Sequence, residues 1–177
     1  MTGTPHLDEA TSACSSTAGW MDLDNAWQRR LHPDQPRFQP DPRLRLRRLR
    51  KTAVRTVAEQ TGQLRTLRVI TYALVQPNRS PEPDHARLAE YAKDAKNTWH
   101  VKYELHDETP NLQAAPDPQH RNGWLMARRL LRTGAADGVL AVSREVISPD
   151  DTSYYRELCW IGDHSSFLEL LIAEDGT

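Results

Sequence analysis

Residues 67–75 read LRVITYALV, a continuous apolar run rich in β-branched and aromatic side chains. A run of this length without polar alternation predicts a strand that is buried on both faces. Strands of this kind lie within parallel sheets, which helices cover on either side. The fold class therefore depends on whether helices and strands alternate in the chain beyond this run.

The chain after residue 75 shows this alternation. Apolar runs predict further strands at 100–105, 138–143 and 167–174. Apolar residues at helical spacing predict helices at 85–95, 122–134 and 151–162. Strands that alternate with helices favour right-handed crossovers and a parallel sheet. We therefore predict an α/β fold, an open, mostly parallel sheet of about four strands with helices on both faces, preceded by a helical N-terminal arm.

The N-terminal part differs from this pattern. Residues 1–20 are rich in Ser, Thr, Ala and Gly, so we expect a flexible tail that buries little apolar surface. Residues 21–66 are interpreted as a helical, basic arm, in which a Pro-rich connector follows a short amphipathic helix. The longer helix of this arm begins at Pro42, with Asp41 as its cap. The α/β domain then comprises residues 67–177.

The formal net charge of −1 conceals a division along the chain. Residues 1–66 carry 11 of the 23 Lys and Arg residues and 7 of the 24 Asp and Glu residues, a balance of +4, which leaves −5 for residues 67–177. Many basic residues of the first part fall in the helix that begins at Pro42. They are Arg43, Arg45, Arg47, Arg48, Arg50, Lys51 and Arg55. Like charges at helical spacing repel one another, so this helix favours an anionic neighbour.

Several neighbours satisfy this requirement. Duplex DNA supplies phosphates, which Lys and Arg bind without sequence preference. The acidic second part of the same chain supplies carboxylates, and an acidic protein is a further candidate. An anionic membrane is disfavoured because the apolar face of the helix has only Leu, Ala and Val and no aromatic anchor. We predict duplex DNA or a DNA-bound protein as the partner and no membrane contact, and we leave a homo-oligomer open.

The sequence also excludes or disfavours several chemical functions. The loop at 75–81, VQPNRSP, contains no glycine, which excludes the dinucleotide and P-loop fingerprints. His100 and His106 lack a ligand spacing such as HxxxH, so we expect no metal and no cofactor. Cys14 and Cys159 are too few for a disulfide framework. No apolar run approaches bilayer length and the N terminus lacks a secretory signal, so we expect a cytoplasmic protein.

Three segments follow one another along the chain. The first is a strand, the second a helix followed by a strand that runs to an acidic turn, and the third a helix followed by a glycine turn and a further strand. They are VITYALV (69–75), DHARLAEYAKDAKNTWHVKYELHDE (84–108) and RNGWLMARRLLRTGAADGVLAVSRE (121–145), with ISPD just beyond. With these segments, the part from 69 to 172 resembles the N-terminal catalytic domain of the serine recombinases, the resolvase/invertase family. The resemblance implies that family's fold and an association with DNA.

The positions that match the family's active site lack its nucleophile. In the family, a serine at the end of the first strand attacks a DNA phosphate, and arginines stabilise the charge of the transition state. Gln76 occupies the position of that serine, and Leu74 that of a neighbouring arginine. Arg121 and Arg144 match two family arginines, whereas Ile147 replaces another. The resemblance therefore implies no catalytic residue and a vestigial anion site at Gln76, Arg121 and Arg144.

The sequence thus predicts a non-catalytic, resolvase-like module that acts as a DNA-associated regulatory or adaptor protein through its basic helix. The alternative is an enzyme or small-anion-binding α/β protein with a site at the carboxyl ends of the strands. That site comprises Gln76, Asp107, Arg121 and Arg144. The two arginines have a structural interpretation as well, namely pairing with acids such as Asp107, Glu108 or Asp150.

Three further expectations complete the sequence analysis. A displaced nucleophile at Ser80 is disfavoured because this serine lies in a Pro-flanked loop four residues beyond Gln76. Because the sequence ends at Thr177, we expect neither the family's dimerisation helix nor its helix-turn-helix module. A protein adaptor is a remaining alternative, in which Trp20, Trp27 and the basic helix form the docking surface.

Overall fold

The computed structural model describes residues 41–94, 99–111 and 115–174. The predicted flexible tail and short amphipathic helix lie outside these residues. The helices are α1 (Pro42–Val57), α2 (Glu82–Lys93), α3 (Asn122–Arg132), α4 (Arg144–Ile147) and α5 (Asp151–Asp163). The strands are β1 (Arg68–Val75), β2 (His100–Glu108), β3 (Gly138–Ala141) and β4 (Phe167–Leu170). A π-helical turn (Ala58–Gly62) follows α1, and a 3-10 turn (Pro118–His120) precedes α3.

The four strands form one parallel sheet in the order β2-β1-β3-β4. The run that predicted a buried strand is β1, which pairs with β2 on one side and β3 on the other. Seven of its eight residues are buried, as expected for a strand with neighbours on both edges and helices on both faces. The predicted α/β fold with a parallel sheet is therefore confirmed.

Helices cover both faces of the sheet, and two successive residues of β1 show this directly. Successive side chains of a strand point to opposite faces. Thr71 contacts His85 of α2, whereas the Tyr72 ring meets Trp124 of α3 with the ring centroids 5.0 Å apart. On the α2 face, Val57 of α1 joins a core cluster that contains Leu88, Val69, Leu140 and Phe167.

Helix α1 begins at the residue predicted from the sequence. The Asp41 carboxylate accepts a hydrogen bond of 2.9 Å from the Arg43 backbone N–H, and Pro42 occupies the first helical position. The helix packs against β4 and α5 and belongs to the same compact unit as the sheet. Its inward face carries Leu46 and Val57, which are buried, and also Arg50. An arginine on this buried face requires an acidic partner, which the sequence alone did not identify.

The observed boundaries differ from the predicted ones at several elements, β2 and β4 among them. Strand β2 extends to Glu108 instead of residue 105, and β4 ends at Leu170 instead of residue 174. Glu174 belongs to the turn beyond β4, where its carboxylate pairs with Arg50. Gly134 ends α3 with a positive φ of 66°, which accounts for the predicted helix stop. No helix in the described part of the chain is long and apolar enough for a membrane span.

Candidate functional site

The carboxyl ends of β1, β2 and β3 meet at one edge of the sheet, where parallel α/β proteins commonly bind ligands. Gln76 follows β1, Asp107 lies near the end of β2, and Arg144 follows β3 after a two-residue bend. Arg121 precedes α3, the helix that starts from this edge. The four residues proposed from the sequence therefore lie along this edge, and their contacts determine what it can bind.

Asp107 caps the N-terminus of α3. Its carboxylate accepts hydrogen bonds from the backbone N–H groups of Gly123 at 2.8 Å and Trp124 at 2.9 Å. It also accepts one from the Tyr72 hydroxyl at 2.8 Å. A helix N-terminus attracts anions through its free N–H groups and its dipole. Asp107 thus occupies, from within the chain, a position that an external anion would otherwise take.

The capping geometry requires glycine at position 123. A Cβ atom there would lie 2.5 Å from the His106 carbonyl oxygen and 2.7 Å from a carboxylate oxygen of Asp107. Both distances are shorter than real Cβ contacts allow. Because Gly123 has no side chain, α3 approaches the end of β2 closely enough for two of its backbone N–H groups to bind Asp107 directly.

Tyr72 connects Asp107 to the neighbourhood of Arg121. Burial raises the pKa of the Tyr72 hydroxyl far above its ordinary value, and the charge of Asp107 raises it further. The Arg121 guanidinium opposes this shift. Tyr72 consequently stays protonated and serves as a hydrogen-bond donor to Asp107.

Arg121 is 4% exposed and binds backbone carbonyls. Its Nε donates to the Pro116 carbonyl at 2.8 Å, and its Nη1 donates to the Val146 carbonyl at 2.8 Å. Its Nη2 is buried without a hydrogen-bond partner among the residues that the structure describes. Arg121 thereby ties the segment before α3 to the short helix α4.

Arg144 is bound more completely. Its Nη2 lies 2.6 Å from a carboxylate oxygen of Asp151 and 2.8 Å from the Pro149 carbonyl oxygen. Its guanidinium also lies 5.2 Å from the centre of the Tyr154 ring. Asp150, which we considered as a partner, instead caps α5 by accepting from the Ser153 N–H at 2.7 Å. The acidic partner of Arg144 is thus the next residue, Asp151.

Gln76 lies apart from these contacts. The residue is exposed, and its backbone carbonyl accepts a hydrogen bond of 3.0 Å from the Arg79 N–H in the following turn. Among the described residues, no side-chain hydrogen bond joins Gln76 to Arg121 or Arg144. In the same loop, the Ser80 hydroxyl accepts from the Glu82 N–H at 3.2 Å, next to the start of α2. Asp107 and Arg121 share Tyr72 as a neighbour, whereas Gln76 and Arg144 have separate surroundings.

His85 and His106 lie near each other on the α2 face of the sheet. The ring Nδ1 of His85 lies 2.9 Å from the Thr71 hydroxyl, and the His85 and His106 ring centroids are 6.5 Å apart. Burial is the main cause that lowers the pKa of His85 below its ordinary value. Within residues 41–94, 99–111 and 115–174, no three His, Cys, Asp or Glu side chains are grouped so that they could hold a metal ion.

The basic helix α1 divides into an inward and an outward side. Arg50 is 1% exposed and forms ion pairs with Glu169 of β4 and with Glu174. Lys51 also binds Glu169, at 3.0 Å, but its side chain remains about half exposed. The inclusion of Arg50 among candidate nucleic-acid contacts is therefore corrected, because its guanidinium is enclosed by the protein.

The other candidates on α1 have more exposed positions. Arg43, Arg48 and Arg55 are exposed, and Arg45 and Arg47 are partly exposed. Arg55 forms an exposed ion pair with Glu59 at 3.8 Å. Ion pairs of this kind contribute little and give way readily to another anion. The outward side of α1 thus presents several cations to solvent.

Glu169 and Glu174 are the site residues that the sequence analysis missed. Both are almost fully buried, and the Arg50 hydrogen bond overcomes the effect of burial and lowers the pKa of Glu174. The signal was present in FLELLIAE, because an acid within an apolar run needs a cationic partner when it is buried. Identifying Arg50 as the buried partner among the seven basic residues of α1 requires the rotation of this helix about its axis, which only the structure provides.

Solved structures similar to this chain include several serine recombinases. The C-terminal catalytic domain of ISC1926 TnpA, an IS607-like serine recombinase, aligns at 21% identity and a TM-score of 0.48, over 63% of this chain and 71% of that chain. The N-terminal catalytic domain of TP901-1 integrase aligns at 18% identity and a TM-score of 0.46, over 59% of this chain and 76% of that chain.

A serine recombinase from Sulfolobus solfataricus aligns at 14% identity and a TM-score of 0.41, over 58% of this chain and 68% of that chain. No protein-family model and no curated protein matches the chain. In fold, the chain is similar to a serine recombinase catalytic domain, the family that its sequence resembles.

Proposed function

We propose that this chain is a non-catalytic, DNA-associated regulatory or adaptor protein of the cytoplasm, which contacts the phosphate backbone of duplex DNA through α1. The observation that carries the proposal is the division of this helix. Arg50 and Lys51 anchor it to acids of the same chain, while Arg48 and Arg55 face solvent. The acidic part of the chain therefore orients the helix and leaves other cations available.

The chemistry of the outward side supports backbone contact over base stacking. Exposed arginines bind phosphate oxygens through charge-assisted hydrogen bonds. Single-stranded nucleic acid is commonly held by aromatic platforms, and the helix from Pro42 to Val57 contains no aromatic residue. The proposal consequently specifies duplex DNA, bound with little sequence preference and with strong dependence on salt.

The non-catalytic part of the proposal is supported at the carboxyl edge of the sheet. Gln76 offers an amide where the resemblance places a nucleophilic serine, and an amide forms no phosphoester. Arg121 and Arg144, the two arginines that the resemblance assigns to phosphate stabilisation, donate instead to backbone carbonyls and to Asp151.

The DNA contact is tested with a short duplex and a pair of charge-matched double variants. We expect R48A/R55A to bind about 60-fold more weakly than wild type near 100 mM salt, because each phosphate contact contributes about eightfold at that concentration. The slope of log K against log salt should become less steep by about 1.8. Fluorescence anisotropy over a salt series measures both quantities.

The control is R129A/R132A, which removes two exposed arginines from α3 and leaves α1 unchanged. Equal losses in the two double variants would show that net charge alone governs binding, and the assignment to α1 would be wrong. If the chain binds an acidic protein instead of DNA, neither double variant should change the affinity for the duplex or its salt dependence. This result would favour the adaptor alternative.

A second candidate function is the binding of a small anion at the carboxyl edge of the sheet. One observation favours it, namely the buried Arg121 Nη2 without a partner among the described residues. If a phosphate or carboxylate binds there, inorganic phosphate should raise the melting temperature of wild type in a saturable manner. The same titration of R121K should show a smaller rise, and equal rises in both proteins would exclude this site.

A further inference from the structure

We propose that Arg50 is a positioning residue for DNA contact, although it is buried and does not reach DNA itself. Its ion pairs with Glu169 and Glu174 fix the rotation of α1 about the helix axis and so decide which arginines face outward. This inference rests on the proposed function, since it concerns the same helix. It goes further by assigning the orientation of the DNA-contacting face to a specific buried network.

The first support is the geometry of the Arg50 guanidinium, which uses all three of its nitrogens. Nε and Nη2 donate to the two carboxylate oxygens of Glu174 at 2.7 and 2.9 Å. Nη1 donates to Glu169. A planar guanidinium that binds one carboxylate through two parallel hydrogen bonds and a second carboxylate at its other end has little rotational freedom. The helix that carries it is restricted accordingly.

The second support is that both acceptors are themselves held in place. The Tyr154 hydroxyl of α5 donates to Glu174 at 3.0 Å. Lys51 Nζ donates to both oxygens of Glu169 at 3.0 and 3.1 Å, and Glu169 projects from the sheet. Arg50 therefore binds groups that are fixed to the sheet and to α5, so the position of its guanidinium relative to the core is fixed as well.

The third support is the helical spacing of the outward arginines relative to Arg50. At about 100° per residue, Arg48 lies about 160° and Arg55 about 140° around the helix from Arg50. Holding Arg50 inward therefore turns these two arginines away from the core. An apolar residue at position 50 would bury surface as Leu46 and Val57 do, but it would lack the fixed hydrogen-bond directions of the guanidinium.

A stabilising role alone does not account for such a network. Buried ion pairs contribute little net stability compared with apolar side chains of similar size, because desolvation offsets the attraction between the charges. The paired charges add a directional constraint on the rotation of α1 to the constraint that burial of Leu46 and Val57 on the same face imposes. Arg50 should accordingly affect DNA affinity more than it affects folding.

The decisive variant is R50M/E174M. It removes one positive and one negative charge, so that the net charge is unchanged, and Glu169 keeps Lys51 as its partner. No buried charge is left uncompensated, which favours a folded protein even if R50M alone fails to fold. We expect duplex binding to weaken by about as much as in R48A/R55A, at least tenfold under the same salt conditions.

A mutant cycle distinguishes positioning from general destabilisation. If Arg50 acts by orienting Arg48 and Arg55, R50M/E174M should cause no further loss of affinity when introduced into R48A/R55A. A loss of the same size in both backgrounds would mean that partial unfolding is responsible, and the inference would be overturned. Circular dichroism and melting temperature report the folded fraction of each variant.

The outcomes separate the inference from the proposed function. If wild type binds duplex DNA no better than R48A/R55A does, the proposed function fails, and the inference fails with it. If wild type binds through those arginines but R50M/E174M binds equally well, only the inference is wrong.

In wild type, the Arg50 Nε–H resonance should exchange slowly and keep its chemical shift when DNA is added. A large shift at this resonance would contradict a buried positioning role.

Discussion

Asp107 is the residue on which the carboxyl edge of the sheet depends most directly. It accepts three hydrogen bonds, from Tyr72, Gly123 and Trp124. Asparagine has the same shape but only one acceptor atom, so D107N would turn an NH2 group toward a donor. We expect D107N to lower the free energy of unfolding by about 2 kcal/mol, from loss of the cap and of buried hydrogen bonds.

Chemical denaturation at neutral pH measures this difference. The matched control is E108Q, which makes the same change at the exposed neighbouring residue and should leave the free energy of unfolding nearly unchanged. A D107N variant as stable as wild type would show that the carboxylate does not act as the cap of α3.

The residues of the candidate site illustrate what one sequence can and cannot predict. The prediction of a parallel sheet is enough to place Gln76, Asp107 and Arg144 at the same edge, because parallel strands have their carboxyl ends together. No comparable sequence pattern predicts the partners of Arg121 and Arg144. Arg121 and Arg144 bind the carbonyls of loop residues such as Pro116 and Pro149, and any residue type supplies a carbonyl.

Among the elements, α1 shows how the prediction of a helix differs from the prediction of its packing. Its start followed from the Asp-Pro pair at 41–42, a local signal that holds whatever the helix packs against. Its orientation depends on Arg50 meeting Glu169 and Glu174, which lie more than 110 residues away in the chain. Local patterns carry no information on contacts of that separation.

The contact between α2 and the sheet provides a prediction about pH. His85 is buried on α2 beside Thr71 of β1, and burial lowers its pKa in the folded protein. The unfolded chain then binds a proton at a higher pH than the folded protein does. Stability should therefore fall as the pH drops below about 6.5 toward the folded pKa of His85, and it should be fully present above that range.

Urea denaturation at pH 7.5 and 5.5 tests this expectation. In H85Q, the part of the pH dependence that belongs to this residue should disappear, so the two free energies of unfolding should lie closer together than in wild type. H100Q is the control because His100 is exposed at the start of β2. An unchanged pH dependence in H85Q would show that His85 is not the group responsible.

At the scale of the whole molecule, the charge division along the chain acquires a structural meaning. By sequence, the basic helix and the acidic α/β part are separate objects that either attract each other or bind different partners. The structure shows the intramolecular pairing at Arg50 and Lys51, while Arg48 and Arg55 face solvent. The intramolecular pairs thus leave the outward cations available for phosphate.

The whole-molecule prediction concerns catalysis. If the carboxyl edge of the sheet lacked only a nucleophile, a serine at position 76 would restore DNA cleavage. We expect neither wild type nor Q76S to nick supercoiled DNA or to become covalently attached to it. The reason is that Arg121 and Arg144 are bound to internal acceptors, and Leu74 and Ile147 provide no cation. A nucleophile without charge stabilisation gives little phosphoryl transfer.

Supercoiled plasmid is incubated with each protein, quenched with detergent and analysed for nicks and for protein-linked DNA, with Q76A as the matched control for contaminating nuclease. A covalent link in Q76S but not in Q76A would mean that Arg121 and Arg144 leave their internal partners when DNA binds. These two arginines would then suffice to stabilise the transition state. A link in wild type, mapped to a residue such as Ser80, would overturn the non-catalytic assignment altogether. Because these two results differ in the attacking residue, peptide mapping of the linked product decides between them.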